Sequence, residues 1–196
     1  MPVFSEAPQR GTAARRRPRR RFHLPDRRAH GFRPRCPLRG ADHRRCESTG
    51  RIKNFEIAGG LDTGAFQTIY PFDDSDVTKI IEGASYSLQT YPDPELEAYL
   101  DTLIHKIGLA QEDDGYLYTN RTIAELGYGK LHDWAEGKRW EKTNILSHEL
   151  YNLGHMYEAA VAHYQATGKR ELLDIAIKSA ELVDKWGKRE TIEARG

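Results

Sequence analysis

The sequence predicts an almost wholly α-helical body, and three observations carry that prediction. Between residues 72 and 187, four separate runs repeat apolar residues at three- and four-residue spacing. Helix punctuation brackets these runs: Asp93-Pro94-Glu95 supplies a cap, a proline suited to the first helical position and an acid, and Gly168 and Gly187 stand where helices stop. Residues 147–168, SHELYNLGHMYEAAVAHYQATG, contain no Lys or Arg, so no solvent face announces itself. The order reads helix, helix, loop, helix, helix.

The first run holds Val77, Ile80, Ile81, Ala84 and Leu88 on one side, behind an acidic start in which Asp74 or Ser75 can cap. That start does not have the glycine and terminal Glu of a calcium loop. In the second run Leu96, Leu100, Leu103, Ile104 and Ile107 form a stripe that ends near Gln111. The third places Leu150, Leu153, Tyr157, Val161 and Tyr164 on one face of a helix. Opposite them fall His148, Tyr151, Asn152, His155, Ala159, Ala162 and Ala166. This pattern predicts an inner helix with one face on a core and the other lining a cavity. His148 and His155 stand two turns apart, roughly 10 Å at 1.5 Å per residue, and both can point into that cavity. The competing reading makes both imidazoles ordinary core residues. The fourth run uses Leu173, Ala176, Ile177, Ala180 and Val183 and closes at Gly187.

The connections are read as irregular. Residues 46–54 are polar and turn-like, and residues 55–64 contain three glycines, hence loop. Asp114-Gly115 makes a turn, 116–119 is short and extended, and 120–143 is a charged loop carrying Tyr128, Trp134 and Trp140. Aromatics in a polar loop suit stacking on sugar rings, and packing against the domain is the alternative.

Charge divides the chain sharply. Residues 1–45 hold 14 Arg, no Lys, 3 acids and 6 of the 9 prolines, a net of +11, while residues 46–196 hold 16 Lys and Arg against 26 acids, a net of −10. The first segment lacks the apolar content to fold alone, so a disordered basic tail is expected. It could serve as a nucleic-acid arm through the arginine run at 15–21. No apolar stretch follows those arginines, which removes an export signal and favours a cytoplasmic reading, and the prolines argue against an amphipathic transit peptide. The favoured reading is a misassigned start or a shifted frame. The remainder, 46–196, is the expected folded domain. Cys36 and Cys46 suggest neither a disulfide framework nor a zinc motif, and no window is apolar enough to span a membrane.

Familiar catalytic signatures fail. A zinc-protease helix needs a second His at 152, where the chain has Asn152, and His155 is too far from His148 to share one ion. There is no nucleophile elbow, Walker loop or dinucleotide fingerprint, and spacing alone selects no carboxylate pair among 26 acids.

Four motifs in order carry a resemblance. They are Thr49-Gly50-Arg51-Ile52-Lys53-Asn54-Phe55; Asp74-Ser75-Asp76-Val77-x-Lys79-x-x-Glu82; Ala110-Gln111-x-x-Asp114-Gly115-Tyr116-Leu117-Tyr118-Thr119; and His148-Glu149-Leu150-Tyr151-Asn152-x-Gly154-His155. Together they resemble the N-terminal part of the β-L-arabinofuranosidase family, glycoside hydrolase family 127 and its relatives, over residues 46–187. The resemblance implies part of an (α/α)6 barrel, a helical toroid whose funnel takes a terminal L-arabinofuranosyl group. It implies a retaining mechanism with a zinc-bound cysteine thiolate as nucleophile and a glutamic acid as acid/base. In the family those groups lie C-terminal to the matched region. The chain is therefore expected to be a fragment, inactive by itself, binding no zinc alone, and poorly soluble or molten. What remains is sugar-contacting surface: His148 and His155, with Asp74, Asp76 and Tyr118. The implied partner is carbohydrate, an L-arabinofuranoside, with no membrane. Two alternatives stand beside it: a helical nucleic-acid binder using the basic arm, which the acidic body opposes, and a barrel acting on uronic-acid oligosaccharides.

Overall fold

The computed structural model describes residues 49–193, with side chains described through 189. The expectations for the basic tail and for Cys36 and Cys46 lie outside the described residues. The elements are α1 (Arg51–Ala58), α2 (Asp74–Thr90), α3 (Pro94–Ala110), α4 (Thr119–Glu125), one 3-10 turn (Asp133–Ala135), α5 (Glu149–Thr167) and α6 (Glu171–Glu193). No strand occurs among the described residues. No helix there is long and apolar enough to cross a membrane.

The four predicted helices form where the periodicity placed them. Asp93 caps α3 as its sequence demands, its Oδ1 accepting from the backbone N–H of Glu95 and Leu96, both at 3.1 Å. Leu100, Leu103, Ile104 and Ile107 are buried, and they meet Val77 and Ile81 of α2, Leu153 and Met156 of α5, and Leu172 of α6 in one core. α2 lies along α5 in the most extensive helix pair, α6 packs on α5 and α3, and α1 sits against α3 and α4.

Three features differ from the expectation. Residues 51–58, read as turn and loop, are the helix α1. Tertiary bonds hold it: Asn54 accepts from the Gln67 N–H at 2.8 Å, and Lys106 of α3 pairs with Glu56 at 2.7 Å. The short helix α4 likewise sits within the stretch read as loop. Its residues Thr119, Asn120, Arg121 and Thr122 are buried polar groups, which leave no apolar period to read. Gly187 does not end α6, which continues to Glu193. An isolated glycine costs a helix only about 1 kcal/mol, and the Lys-Arg-Glu that follows favours continuation.

Within α5 the buried arc falls between the two faces drawn from the sequence. Asn152, Leu153, Met156, Ala159, Ala160 and His163 are buried, whereas Val161 is 47 % and Tyr164 42 % exposed. The alanines let α2 and α6 approach from adjacent sides, so of the bulky stripe Leu153 is buried and Leu150 and Tyr157 pack on the core, while Val161 and Tyr164 stay outside. Gly115 marks a second close approach: at φ 101° its Cβ position would lie 2.5 Å from the Lys178 carbonyl oxygen of α6.

Candidate functional site

The loop between α4 and α5 is fastened from below by a buried polar network. Glu149, 2 % exposed, accepts from the Trp140 N–H at 3.0 Å, the Ser147 hydroxyl at 2.8 Å and the Tyr116 hydroxyl. Arg121 lies 3.9 Å from the same carboxylate and donates to the Ala135 and Gly137 carbonyls at 2.7 and 3.1 Å. Burial first, and then the Glu149 charge, holds the Tyr116 hydroxyl protonated far above its ordinary range. Tyr118, fully buried, donates to the Ser147 carbonyl at 2.7 Å.

This network sets two non-glycine residues in the left-handed region, Trp140 at φ 64° and His148 at φ 52°. Such backbone costs roughly 1–2 kcal/mol per residue, and it persists where surrounding bonds over-determine it. Glu149 bonds Trp140 directly, and it bonds Ser147 immediately before His148. The positive φ makes His148 the N-cap of α5 rather than a helical residue, and it swings the imidazole edge-on to Phe72 at 4.8 Å.

A continuous row of rings results. Tyr70 stacks on Phe72 at 5.4 Å and on Trp134 at 5.8 Å, and Phe72 meets Trp134 at 6.3 Å with nearly parallel planes. From Phe72 the row passes to His148, then to Tyr151 at 6.0 Å, then to His155 at 4.5 Å. Lys79 stands 5.0 Å over the Tyr151 ring. Tyr70 and Tyr151 are 45 % and 49 % exposed, and both histidines and Trp134 are half-buried. The surface thus offers ring faces with imidazole edges between them, a combination suited to a small polyol with both apolar C–H faces and hydroxyls.

The five residues expected at a sugar are dispersed by depth. His148 and His155 flank Tyr151 on the ring row. Asp76 is partly exposed beside it, and Arg51 donates to its carboxylate at 2.6 Å. Asp74 and Tyr118 do not reach the surface. Asp74 turns inward and accepts from the Thr119 N–H and hydroxyl at 2.8 and 2.6 Å, anchoring α2 to α4. Burial raises its carboxyl to about 6, against those two bonds. Neither is placed for ligand contact, because motif spacing says nothing about which side of a helix start faces in. The sequence reading missed Tyr70 and Phe72, which lie in a stretch without period. Of the loop aromatics, Trp134 joins the row, while Trp140 packs on Tyr116 and Trp186.

The described residues contain no cysteine, so they do not fit the thiolate-bound zinc that the resemblance implies. One sulfur-free ligand set is present among them: Glu82, His155 and Glu158, whose donor atoms lie within 4.8 Å of one another.

Comparison with known proteins places this architecture. The family profile described as β-L-arabinofuranosidase, GH127 catalytic domain, matches residues 25–194. The non-reducing end β-L-arabinofuranosidase of Bifidobacterium longum subsp. longum is 40 % identical over 133 residues, covering 68 % of this chain and 19 % of that protein. A solved GH127 β-arabinofuranosidase superposes with a TM-score of 0.64 at 53 % identity, covering 72 % of this chain and 22 % of the other. A GH127 β-L-arabinofuranosidase structure from Geobacillus stearothermophilus T6 gives 0.60 at 45 % identity, covering 69 % and 19 %. The chain spans about a fifth of the length of these relatives. Its helices are part of an (α/α)6 toroid. With the profile covering well over half of its residues, the chain belongs to the GH127 β-L-arabinofuranosidase catalytic-domain family.

Proposed function

We propose that residues 49–189 supply part of the sugar-facing wall of a retaining β-L-arabinofuranosidase. In this reading His148 and His155 hydrogen-bond a terminal L-arabinofuranosyl group on either side of Tyr151, and Trp134 and Phe72 bound the approach. Asp76 stands at the margin, and Asp74 and Tyr118 act from beneath by holding α4 and the α5 start in register. The observation that carries the proposal is the unbroken ring row from Tyr70 to His155, which puts two separated imidazoles on one partly open surface.

The thiolate nucleophile, its zinc and the glutamic acid/base of the family are assigned, in the same proposal, to the length of the relatives that this chain does not span. The share covered, about a fifth, supports that division. The 196-residue chain then binds sugar weakly and performs no hydrolysis.

The test is an NMR titration of the chain with methyl β-L-arabinofuranoside. Imidazole signals of His148 and His155 should shift together and saturate with one dissociation constant, and Trp134→Ala should weaken that constant severalfold. If only distant resonances moved, or neither imidazole responded at millimolar sugar, the assignment would be lost.

A further inference from the structure

We propose that Glu82, His155 and Glu158 form a divalent-cation site that ties α2 to α5 and takes no sulfur ligand. This goes beyond the sugar-facing reading and does not depend on it. His155 and Glu158 are one turn apart on α5, a spacing that puts both on the same side of a helix. Glu82 comes from α2, the helix packed most extensively along α5. The donor atoms of all three lie within 4.8 Å of one another, a separation that two bonds of about 2.0–2.2 Å to one ion nearly span.

Two further observations point to a ligand rather than to a chance meeting of charges. The His155 Nδ1 atom is buried and has no hydrogen-bond partner, although it lies 3.4 Å from the Glu158 carboxylate. Buried ring nitrogens without a hydrogen bond are rare, and in the tautomer whose proton sits on Nε2 this Nδ1 turns its lone pair toward the Glu158 carboxylate, where an ion between them would satisfy both. The Glu82 carboxylate is in turn held by the Tyr86 hydroxyl, which donates to its Oε1 at 3.0 Å. An outer hydrogen bond of this kind orients a metal-binding carboxylate and leaves its other oxygen to coordinate.

The donor set selects the class of ion. One imidazole and two carboxylates give a site of charge −2 with nitrogen and oxygen donors, which suits Zn²⁺ or Mn²⁺ and offers nothing to a sulfur-seeking ion. Glu158 is 64 % exposed, so the outer coordination positions open to water. An open groove of about 390 Å³ runs along Glu82, Tyr86, Glu158, Val161 and Gln165, so both carboxylates border open space. Bound there, it would cross-link the two helices and stabilise the folded state by mass action.

The experiment uses the full chain, stripped with chelator, and the metals alone. Zn²⁺ is titrated by calorimetry with thermal unfolding in parallel, in a Cys36→Ser/Cys46→Ser background so that the thiols do not contribute. The parent should bind one equivalent more than the Glu82→Gln/Glu158→Gln variant, and only the parent should gain several degrees in Tm. Because Glu158 is exposed, the single change Glu158→Gln leaves the fold intact, and it should weaken that equivalent at least tenfold. Substoichiometric Mn²⁺ should broaden the ring signals of His155 and Tyr86 before any others. Equal stoichiometry and equal Tm shifts in parent and variants, or Mn²⁺ broadening that bypasses His155, would overturn the proposal.

Discussion

Asp74 shows how a single residue can be read correctly as important and wrongly as exposed. Its motif position at the start of α2 suggests a cap or a ligand, yet its carboxylate is consumed by Thr119. Burial raises its carboxyl from 3.8 to about 6. The folded state therefore holds a proton between those two values that the unfolded chain has released, and stability falls as pH rises through the folded value. The contribution is complete below pH 4 and gone above about pH 7. From the shift, urea unfolding of the parent should lose about 2 kcal/mol between pH 4.5 and 7.5 through this group. Asp74→Asn, which keeps an acceptor for the Thr119 N–H, should flatten that slope. Equal slopes in parent and variant would remove Asp74 as its source. His148 differs in kind: its residue type was readable, but its left-handed backbone depends on bonds to Trp140 and Ser147 made by the residue that follows it.

At the scale of elements, α5 decides the matter. Helical spacing alone draws a bulky stripe from Leu150 and Leu153 on through Val161 and Tyr164, whereas the structure keeps Leu153 and otherwise buries Asn152, Met156, Ala159, Ala160 and His163. Ala160 is fully buried between its neighbours, and Val161 is 47 % exposed. Ala160→Leu should therefore cost about 1–3 kcal/mol through overpacking, while Val161→Leu stays within about 0.5 kcal/mol. Chemical denaturation of the two variants reads the difference directly. The reverse order would restore the stripe drawn from the sequence. The caps read for α2 at Asp74 or Ser75 and for α6 at Gly187 did not form: Asp74 is taken by Thr119, and α6 runs on to Glu193. Helices α2, α3, α5 and α6 were legible because long apolar periods survive in any context. α1 and α4 were not, because each is short and held by polar partners far along the chain, Gln67 and Lys106 for one and Asp74 for the other.

For the whole molecule, the family and the helical class rest on agreement between four sequence motifs and the superposed structures. The chain covers about a fifth of its relatives, and its described residues hold no cysteine. An aryl β-L-arabinofuranoside should therefore not be turned over by the 196 residues alone, and release of the aryl group above the buffer rate would show that the chemistry is carried here. By itself the sequence determined the all-α class, the four long helices, the Asp93 cap of α3 and the Gly168 end of α5. Those features follow from local periodicity and from residue chemistry, which need no knowledge of neighbours. Only the tertiary structure decided which arc of α5 is buried, that Asp74 and Tyr118 lie beneath the surface, and that Tyr70, Phe72 and Trp134 join the histidines in one row. Depth and adjacency arise from segments that meet far apart in the chain, 45 residues between Asp74 and Thr119 and 29 between Tyr118 and Ser147, and no spacing within a single helix encodes them.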